Sequence, residues 1–231
     1  MIYTKLGKSD LNVSRICMGC MGIGDPSKGM NKWSVPEEES REIIRYALDQ
    51  GINFFDTAMS YQEGNSEEVL GKALKDFAKR DDYIVATKFL PRSQEELDRN
   101  VPGQAYVADC LDRSLKRLGL DYVDLYIYHM WDYHTPMEEI IEGLNNAVKA
   151  GKESKNVLMT EISLAWLLRK VTAPVMGVTK KSNIDGAVKA VELELTQEET
   201  DYLEELYVPH ALAGVMAQNG KQKAGDVVKK I

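Results

Sequence analysis

Apolar positions along the 231-residue chain alternate between short continuous runs and stripes at helical spacing. Continuous runs are typical of buried parallel strands, and stripes with residues three and four apart are typical of helices that cover a sheet. The pattern predicts five such strands, at residues 15–19, 52–55, 83–87, 125–128 and 174–179. This alternation indicates a parallel α/β fold, and right-handed crossovers favour its closure into a β/α barrel.

Turn and capping signals predict the remaining elements. Residues 7–10 are turn formers between two short runs, which predicts an N-terminal β-hairpin over residues 2–14. Stripes bracketed by proline, glycine or capping residues predict helices at residues 36–51, 66–77, 107–119, 137–151, 160–170, 184–191 and from Thr196 onwards. Residues 220–231 are basic and weakly patterned, so we expect a mobile tail there.

Five strands are too few for a closed barrel of this class, which needs eight. At about 30 residues per β/α unit, three absent units amount to roughly 90 residues. The alternation breaks after Lys152, and we expect a discontinuity at 152/153 within a single barrel domain over residues 1–231. Either these residues omit an internal segment of the complete protein, or three units have been lost. The first explanation is favoured, because an open barrel wall exposes strand edges and core.

Charge and composition narrow the class of protein. The 29 Lys and Arg residues against 36 Asp and Glu residues give a net charge of -7, which repels nucleic-acid backbones and anionic membrane surfaces. No stretch approaches the roughly 18 to 20 apolar residues of a membrane span, and the first residues lack the apolar region of a signal peptide. Three cysteines are too few for a disulfide framework, which fits a reducing compartment. Together with the absence of a membrane span, this makes a soluble, cytoplasmic protein the expectation.

Ionisable side chains follow the ends of three predicted strands. Asp56 and Tyr61 follow the second strand, Lys88 the third and His129 the fourth. Singly, Asp56, Lys88 and His129 have ordinary explanations as a cap, a surface lysine and a core histidine. Because parallel strands end at the same edge of a sheet, the four together predict a catalytic site.

The residue types suit the reduction of a carbonyl group. A phenol can protonate the carbonyl oxygen only if its ordinary pKa of about 10 is lowered, and a cationic lysine beside it stabilises the phenolate. Lys88 is expected to do this for Tyr61, with Asp56 holding the ammonium charged, while His129 hydrogen-bonds the substrate oxygen. No side chain supplies a hydride, so a nicotinamide cofactor is implied.

These motifs resemble a known family. Asp56-Thr57-Ala58 with Tyr61, Thr87-Lys88 and Tyr128-His129 look like the catalytic tetrad of the aldo-keto reductases, and the hairpin and residues 19–22 are similar to the family's start. The resemblance implies a (β/α)8 TIM barrel and NADPH-dependent reduction of aldehydes or ketones. It implies Tyr61 as general acid, and NADPH extended across the barrel mouth with Gly22 and Asp56 among its contacts.

Residues 177–181, Gly-Val-Thr-Lys-Lys, resemble the family's segment for the adenosine 2′-phosphate, which implies cofactor contacts from Val178, Thr179 and Lys180. Lysines there suit a doubly charged phosphate. Asn183, also expected to contact the cofactor, stands where many members have Arg, and Gly186 and Ala187 stand where a Glu and an Asn are common. NADPH is therefore expected, with NADH as the alternative.

Other features leave further hypotheses open. The family's strand with a tyrosine that stacks on the nicotinamide is absent after Lys152, so a cofactor-binding regulatory or structural relative with little turnover is the alternative function. Cys17 and Cys20 have C-x-x-C spacing but lack the helix N-terminus that activates such thiols. The loop residues expected to line a substrate pocket are Met21, Trp33 and Trp131. With three histidines and no Cys/His cluster, a metal site is not expected.

Overall fold

The computed structural model describes residues 1–130, 135–150, 172–173 and 175–191. Its first element is an antiparallel hairpin of β1 (Tyr3–Lys5) and β2 (Asn12–Ser14), in which Tyr3 pairs with Ser14. Gly7 adopts a positive φ of 59° in the connecting turn, a conformation that glycine adopts without steric cost. The predicted N-terminal hairpin is therefore confirmed.

The main sheet has five parallel strands, as the apolar runs predict. These strands are β3 (Cys17–Gly19), β4 (Phe54–Asp56), β5 (Ile84–Phe89), β6 (Leu125–Tyr128) and β7 (Val175–Gly177). Their order across the sheet is β6-β5-β4-β3-β7, so the last strand returns beside the first. In this register Gly19 pairs with both Asp56 and Gly177. The carboxyl ends of all five strands consequently lie at one edge.

Helices follow the strands in the predicted alternation. They are α1 (Glu37–Asp49), α2 (Asn65–Phe77), α3 (Gln94–Asp98), α4 (Gly103–Leu118), α5 (Met137–Lys149) and α6 (Lys181–Val191). The short helix α3 was not predicted, and it begins with a capping box between Ser93 and Glu96. The helices predicted at residues 160–170 and from Thr196, and the tail at 220–231, lie outside the described residues.

Two apolar clusters lie on opposite faces of the sheet. The larger cluster packs the sheet against the helices and includes Phe55, Leu70 and Leu111. The smaller one contains Cys17 and Phe54 on the other face, where Leu6 and Leu11 of the hairpin region pack against it. Cys17 and Phe54 are the first residues of β3 and β4, so the hairpin region packs near the amino ends of these two strands.

Two residues of the predicted apolar stripes are not part of the core. Phe77 is 37% exposed at the end of α2, where the Arg41 guanidinium carbon lies 5.0 Å from its ring centroid. Met137 is 53% exposed at the start of α5. Both stand at helix ends, where the helix no longer faces the sheet.

Candidate active site

Lys88 joins the predicted catalytic side chains at the carboxyl edge of the sheet. Its Nζ donates hydrogen bonds to Asp56 Oδ1 at 2.5 Å and to the Thr57 carbonyl at 2.8 Å. The same Nζ lies 3.3 Å from the Tyr61 hydroxyl and 4.9 Å from the centre of the Tyr61 ring. The lysine therefore contacts both the acid and the phenol, as the strand ends predict.

Burial and pairing together determine the ionisation of this lysine. Burial favours the neutral amine, but the Asp56 carboxylate and Tyr61 outweigh it, so the pKa of Lys88 is raised. Burial also raises the pKa of the Asp56 carboxyl, and the Lys88 ammonium opposes that rise. The close contact favours the ion pair, so Lys88 presents a positive charge to the Tyr61 hydroxyl.

His129 completes the group from the end of β6. Its backbone N–H bonds to the Phe89 carbonyl at 2.9 Å, and its ring centre lies 5.8 Å from that of Tyr61 in an edge-on arrangement. Burial, with a contribution from the Lys88 charge, lowers the pKa of His129 to about 4. Among the residues that the structure describes, its buried Nδ1 has no hydrogen-bond partner. A neutral imidazole therefore borders the site.

The Tyr61 side chain is carried on a turn of unusual backbone geometry. Tyr61–Gly64 forms a 3₁₀ turn in which Gln62, Glu63 and Gly64 have positive φ angles of 46°, 56° and 91°. Left-handed backbone is unfavourable for residues with a Cβ atom, by about 1–2 kcal/mol each. The Glu63 carboxylate accepts a bond from the Gly29 N–H at 3.2 Å, which ties the turn to the loop after β3.

Residues behind the tetrad that the sequence reasoning passed over are also engaged. Ser66 Oγ donates to the Cys20 carbonyl at 2.8 Å and lies 3.1 Å from Thr57 Oγ1. Glu67, fully buried, accepts a hydrogen bond from Thr87 Oγ1. These contacts join positions up to 46 residues apart, so no local spacing signal could have identified them.

The predicted cofactor segment lies beside β3. Gly22 is buried, and a Cβ atom added there would lie 2.7 Å from Thr179 Cγ2 and 2.9 Å from Trp33 Cζ3. Val178 is fully buried in the core, so only its main chain can reach a ligand. Lys180 is exposed and able to meet a phosphate.

Asn183 has a local partner in the same segment. Its Oδ1 accepts bonds from the backbone N–H groups of Thr179 and Lys180, at 3.3 and 3.1 Å. Those two amides are therefore occupied, and the ammonium of Lys181 is paired with Glu42 at 3.1 Å. The Lys180 ammonium and the half-buried Thr179 side chain are the remaining groups of the segment that could fit a phosphate.

The remaining predicted residues are placed as follows. Met21 is 42% exposed and Trp33 58% exposed in the loop after β3, while Trp131 lies outside the described residues.

Cys17 and Cys20 are fully buried, and burial raises the pKa of both thiols. A reactive thiol needs the opposite shift, which argues against a redox role for the C-x-x-C pair.

Within the described part of the chain, neither a metal site nor a membrane span is found. No group of three or more His, Cys, Asp or Glu side chains among those residues could hold a metal ion. In the same residues, every helix is too short or too polar to cross a bilayer.

The sequence model of the Aldo/keto reductase family matches residues 15–155 and 152–208. The aldo-keto reductase YhdN of Bacillus subtilis (strain 168) is 41% identical over 153 residues, which cover 66% of this chain and 45% of that protein. A putative voltage-gated potassium channel subunit beta of Schizosaccharomyces pombe is 37% identical over 150 residues, covering 64% of this chain and 42% of that one. The chain belongs to the aldo/keto reductase family, which generally uses NAD(P)H.

The chain is shorter than these relatives and spans about half the length of the Bacillus subtilis protein. Similarity to the versiconal hemiacetal acetate reductase of Aspergillus parasiticus, 26% identical, extends over 341 positions and covers 92% of this chain and 98% of that protein. Because 341 exceeds the 231 residues here, the relative carries a long stretch without a counterpart in this chain.

The fold agrees with the family. The crystal structure of the thermostable aldo-keto reductase Tm1743 superposes with a TM-score of 0.72 at 22% identity, covering 90% of this chain and 100% of that one. Aldo-keto reductase structures of this kind are TIM barrels, which confirms the predicted fold class. The described residues of this chain form five parallel strands of such a barrel.

Proposed function

We propose that the protein is an NADPH-dependent reductase of aldehydes or ketones. The observation that carries this proposal is the Lys88 ammonium, bonded to Asp56 at 2.5 Å and 3.3 Å from the Tyr61 hydroxyl. A phenol beside a largely buried cation is suited to general acid catalysis, since the cation stabilises the phenolate that remains after proton transfer. The bound cofactor supplies the hydride.

Each member of the tetrad has a distinct role in this proposal. Tyr61 donates its hydroxyl proton to the carbonyl oxygen as negative charge develops there, and Lys88 stabilises the phenolate left behind. Asp56 holds the ammonium charged and directed. The neutral His129 donates a hydrogen bond to the same oxygen from a ring nitrogen, which orients the carbonyl and stabilises its charge.

The order of strands supports an extended cofactor. Strands in a sheet are about 4.8 Å apart, so β7 lies roughly 14 Å from β5 across the sheet. A dinucleotide with its 2′-phosphate near Thr179 and Lys180 and its nicotinamide near Lys88 has to cross β3 and β4. Gly22 and Asp56 lie on that path, which is why we assign them to the cofactor. NADH remains the alternative, because Asn183 supplies no charge.

Replacing Tyr61 with Phe tests the proton donor. We expect the variant to keep cofactor binding but to lose NADPH oxidation with simple aldehydes by about 10²-fold or more, since general acid catalysis contributes 10²–10⁴-fold. Absorbance at the nicotinamide band measures turnover, and Tyr3→Phe, far from the edge, is the matched control. Unchanged turnover in Tyr61→Phe would contradict the assignment.

A cofactor-binding regulatory protein with little turnover is the second candidate. The potassium channel beta subunit among the relatives favours it, since that protein's name describes a channel subunit. Titration with NADPH separates the two candidates. Quenching of tryptophan fluorescence without oxidation across a panel of aldehydes would support the second candidate, and oxidation would support the first.

A further inference from the structure

A buried ion pair lies behind the tetrad, between α2 and α4. The Glu67 side chain is 0% exposed, and each of its carboxylate oxygens has one partner. Oε1 accepts from Thr87 Oγ1 at 2.6 Å, and Oε2 accepts from Arg117 Nε at 2.6 Å. Because a buried carboxylate is tolerated only when it is paired and hydrogen-bonded, these two contacts determine where Glu67 lies.

The Thr87 contact connects the ion pair to the catalytic lysine. Thr87 directly precedes Lys88 in β5, and the Lys88 carbonyl accepts a bond from the Met59 N–H at 3.0 Å. The Thr87 hydroxyl holds this stretch of strand against the start of α2. The bond between Thr87 and Glu67 therefore fixes the position of Lys88 in the strand relative to Glu67.

Arg117 connects the same pair to the turn that carries Tyr61. Its side chain lies against the backbone of Gly64, where an added Cβ atom would be 2.6 Å from Arg117 Cδ and 2.7 Å from Nε. Gly64 is the last residue of that turn and has a φ of 91°. A side chain at this position would displace the arginine, so the left-handed turn rests directly on the ion pair.

We propose that Glu67 and Arg117 form a positioning pair that sets the Lys88 Nζ to Tyr61 hydroxyl separation. This inference rests on the proposed function and deepens it, since neither residue reaches the reacting atoms. The 3.3 Å separation is slightly longer than the usual N–H···O distance of about 2.7–3.2 Å, so a small further displacement of either element breaks the contact. Misplacement by about 1 Å can lower a catalytic rate by on the order of 10²-fold.

The test removes the hydrogen bond between Thr87 of β5 and Glu67 without removing a charge. In Thr87→Val the branched shape stays and the hydrogen bond to Glu67 is lost. We expect kcat to fall by about 10- to 100-fold while KM for cofactor and aldehyde changes less than about threefold, because binding groups are untouched. Thr87→Ser keeps the hydroxyl and is expected to restore kcat to within about threefold of the wild-type value.

The chain offers a matched control in a second buried ion pair. Asp124 accepts from Arg80 at 2.7 Å and from the Val85 N–H at 2.8 Å, near the amino ends of β5 and β6. Asp124→Asn is expected to lower stability but to leave kcat within about threefold of wild type. If it lowers kcat as much as Thr87→Val does, a general loss of packing explains the effect and the positioning role is overturned.

Hydrogen exchange gives a readout that does not depend on turnover. We expect the amides of Met59 and Tyr61, which bond to the Lys88 and Ala58 carbonyls, to exchange faster in Thr87→Val and at the wild-type rate in Asp124→Asn. Unchanged exchange at both amides overturns the inference, whether or not the protein turns over. The wild-type protein could also fail to reduce aldehydes while the two variants still show the expected exchange rates. That result would overturn the proposed function alone and leave the positioning pair supported.

Discussion

His129 is held neutral by its surroundings. Burial disfavours the imidazolium, and the nearby Lys88 charge adds to the effect, so the pKa falls from 6.5 to about 4. The sequence places this histidine at a strand end, but its ionisation depends on the side chains that β4 and β5 bring beside it. In the proposed reaction, a neutral ring can hydrogen-bond the carbonyl without competing with Tyr61, the proposed proton donor.

The lowered pKa predicts an acid-linked loss of stability. Between about pH 6.5 and pH 4 the unfolded chain binds a proton at His129 that the folded protein does not, so this residue's contribution to the free energy of unfolding falls as pH decreases. His129→Gln removes that linkage. Urea unfolding at pH 7 and pH 4.5 measures it: wild type should lose more stability than the variant on acidification. Equal losses would contradict the lowered pKa.

The first turn of α2 connects three strand ends. Ser66 bonds to the Cys20 carbonyl after β3 and to Thr57 after β4, and Glu67 bonds to Thr87 in β5. One short segment of helix therefore aligns the strands that carry Asp56 and Lys88. The preceding turn delivers Tyr61 to the same place.

The turn from Tyr61 to Gly64 predicts a specific cost for a methyl group. Gly64→Ala meets left-handed backbone, about 1–2 kcal/mol, and in addition displaces Arg117, for which overpacking adds about 1–3 kcal/mol. Gly119→Ala, at the end of α4 with a φ of 65° and no atom within 4 Å of the added Cβ, incurs only the backbone cost. Urea unfolding should rank Gly64→Ala as clearly less stable, and equal stability would contradict the close approach.

Prediction of the elements succeeded where local signals were strong. The hairpin, the five strands and the helices α1, α2, α4, α5 and α6 follow from apolar periodicity and capping residues. Helix α3 was missed although Ser93 and Glu96 form a capping box that the sequence displays, because its single turn carries no apolar stripe. Phe77 and Met137 belong to the apolar stripes of α2 and α5 but are exposed, since periodicity does not indicate where a helix leaves the sheet.

The sheet as a whole has two outer strands among the described residues, β6 and β7. In a closed barrel of eight strands, three further strands lie between these two edges. If the complete protein contains them after Lys152, its intact mass exceeds 26.0 kDa by about 10 kDa, for roughly 90 residues. Intact-protein mass spectrometry tests this, and a mass near 26.0 kDa means that the units have been lost.

The four candidate catalytic residues could be proposed from the sequence because chemistry in parallel α/β folds gathers at strand ends, and the ends of strands are visible in a hydrophobic pattern. Their partners could not be selected in the same way. Arg117 is 50 residues from Glu67, and Glu67 is 20 residues from Thr87. No periodicity relates positions so far apart.

The sequence by itself determined the order of strands and helices along the chain, the hairpin and the identity of four candidate catalytic side chains. These features depend on local periodicity, caps and residue type. Only the tertiary structure decided that Lys88 contacts both Asp56 and Tyr61, that His129 is neutral, and that an ion pair lies beneath the turn. The physical reason is that burial and electrostatic pairing arise between elements distant in the chain, and both take their magnitude from the packed environment.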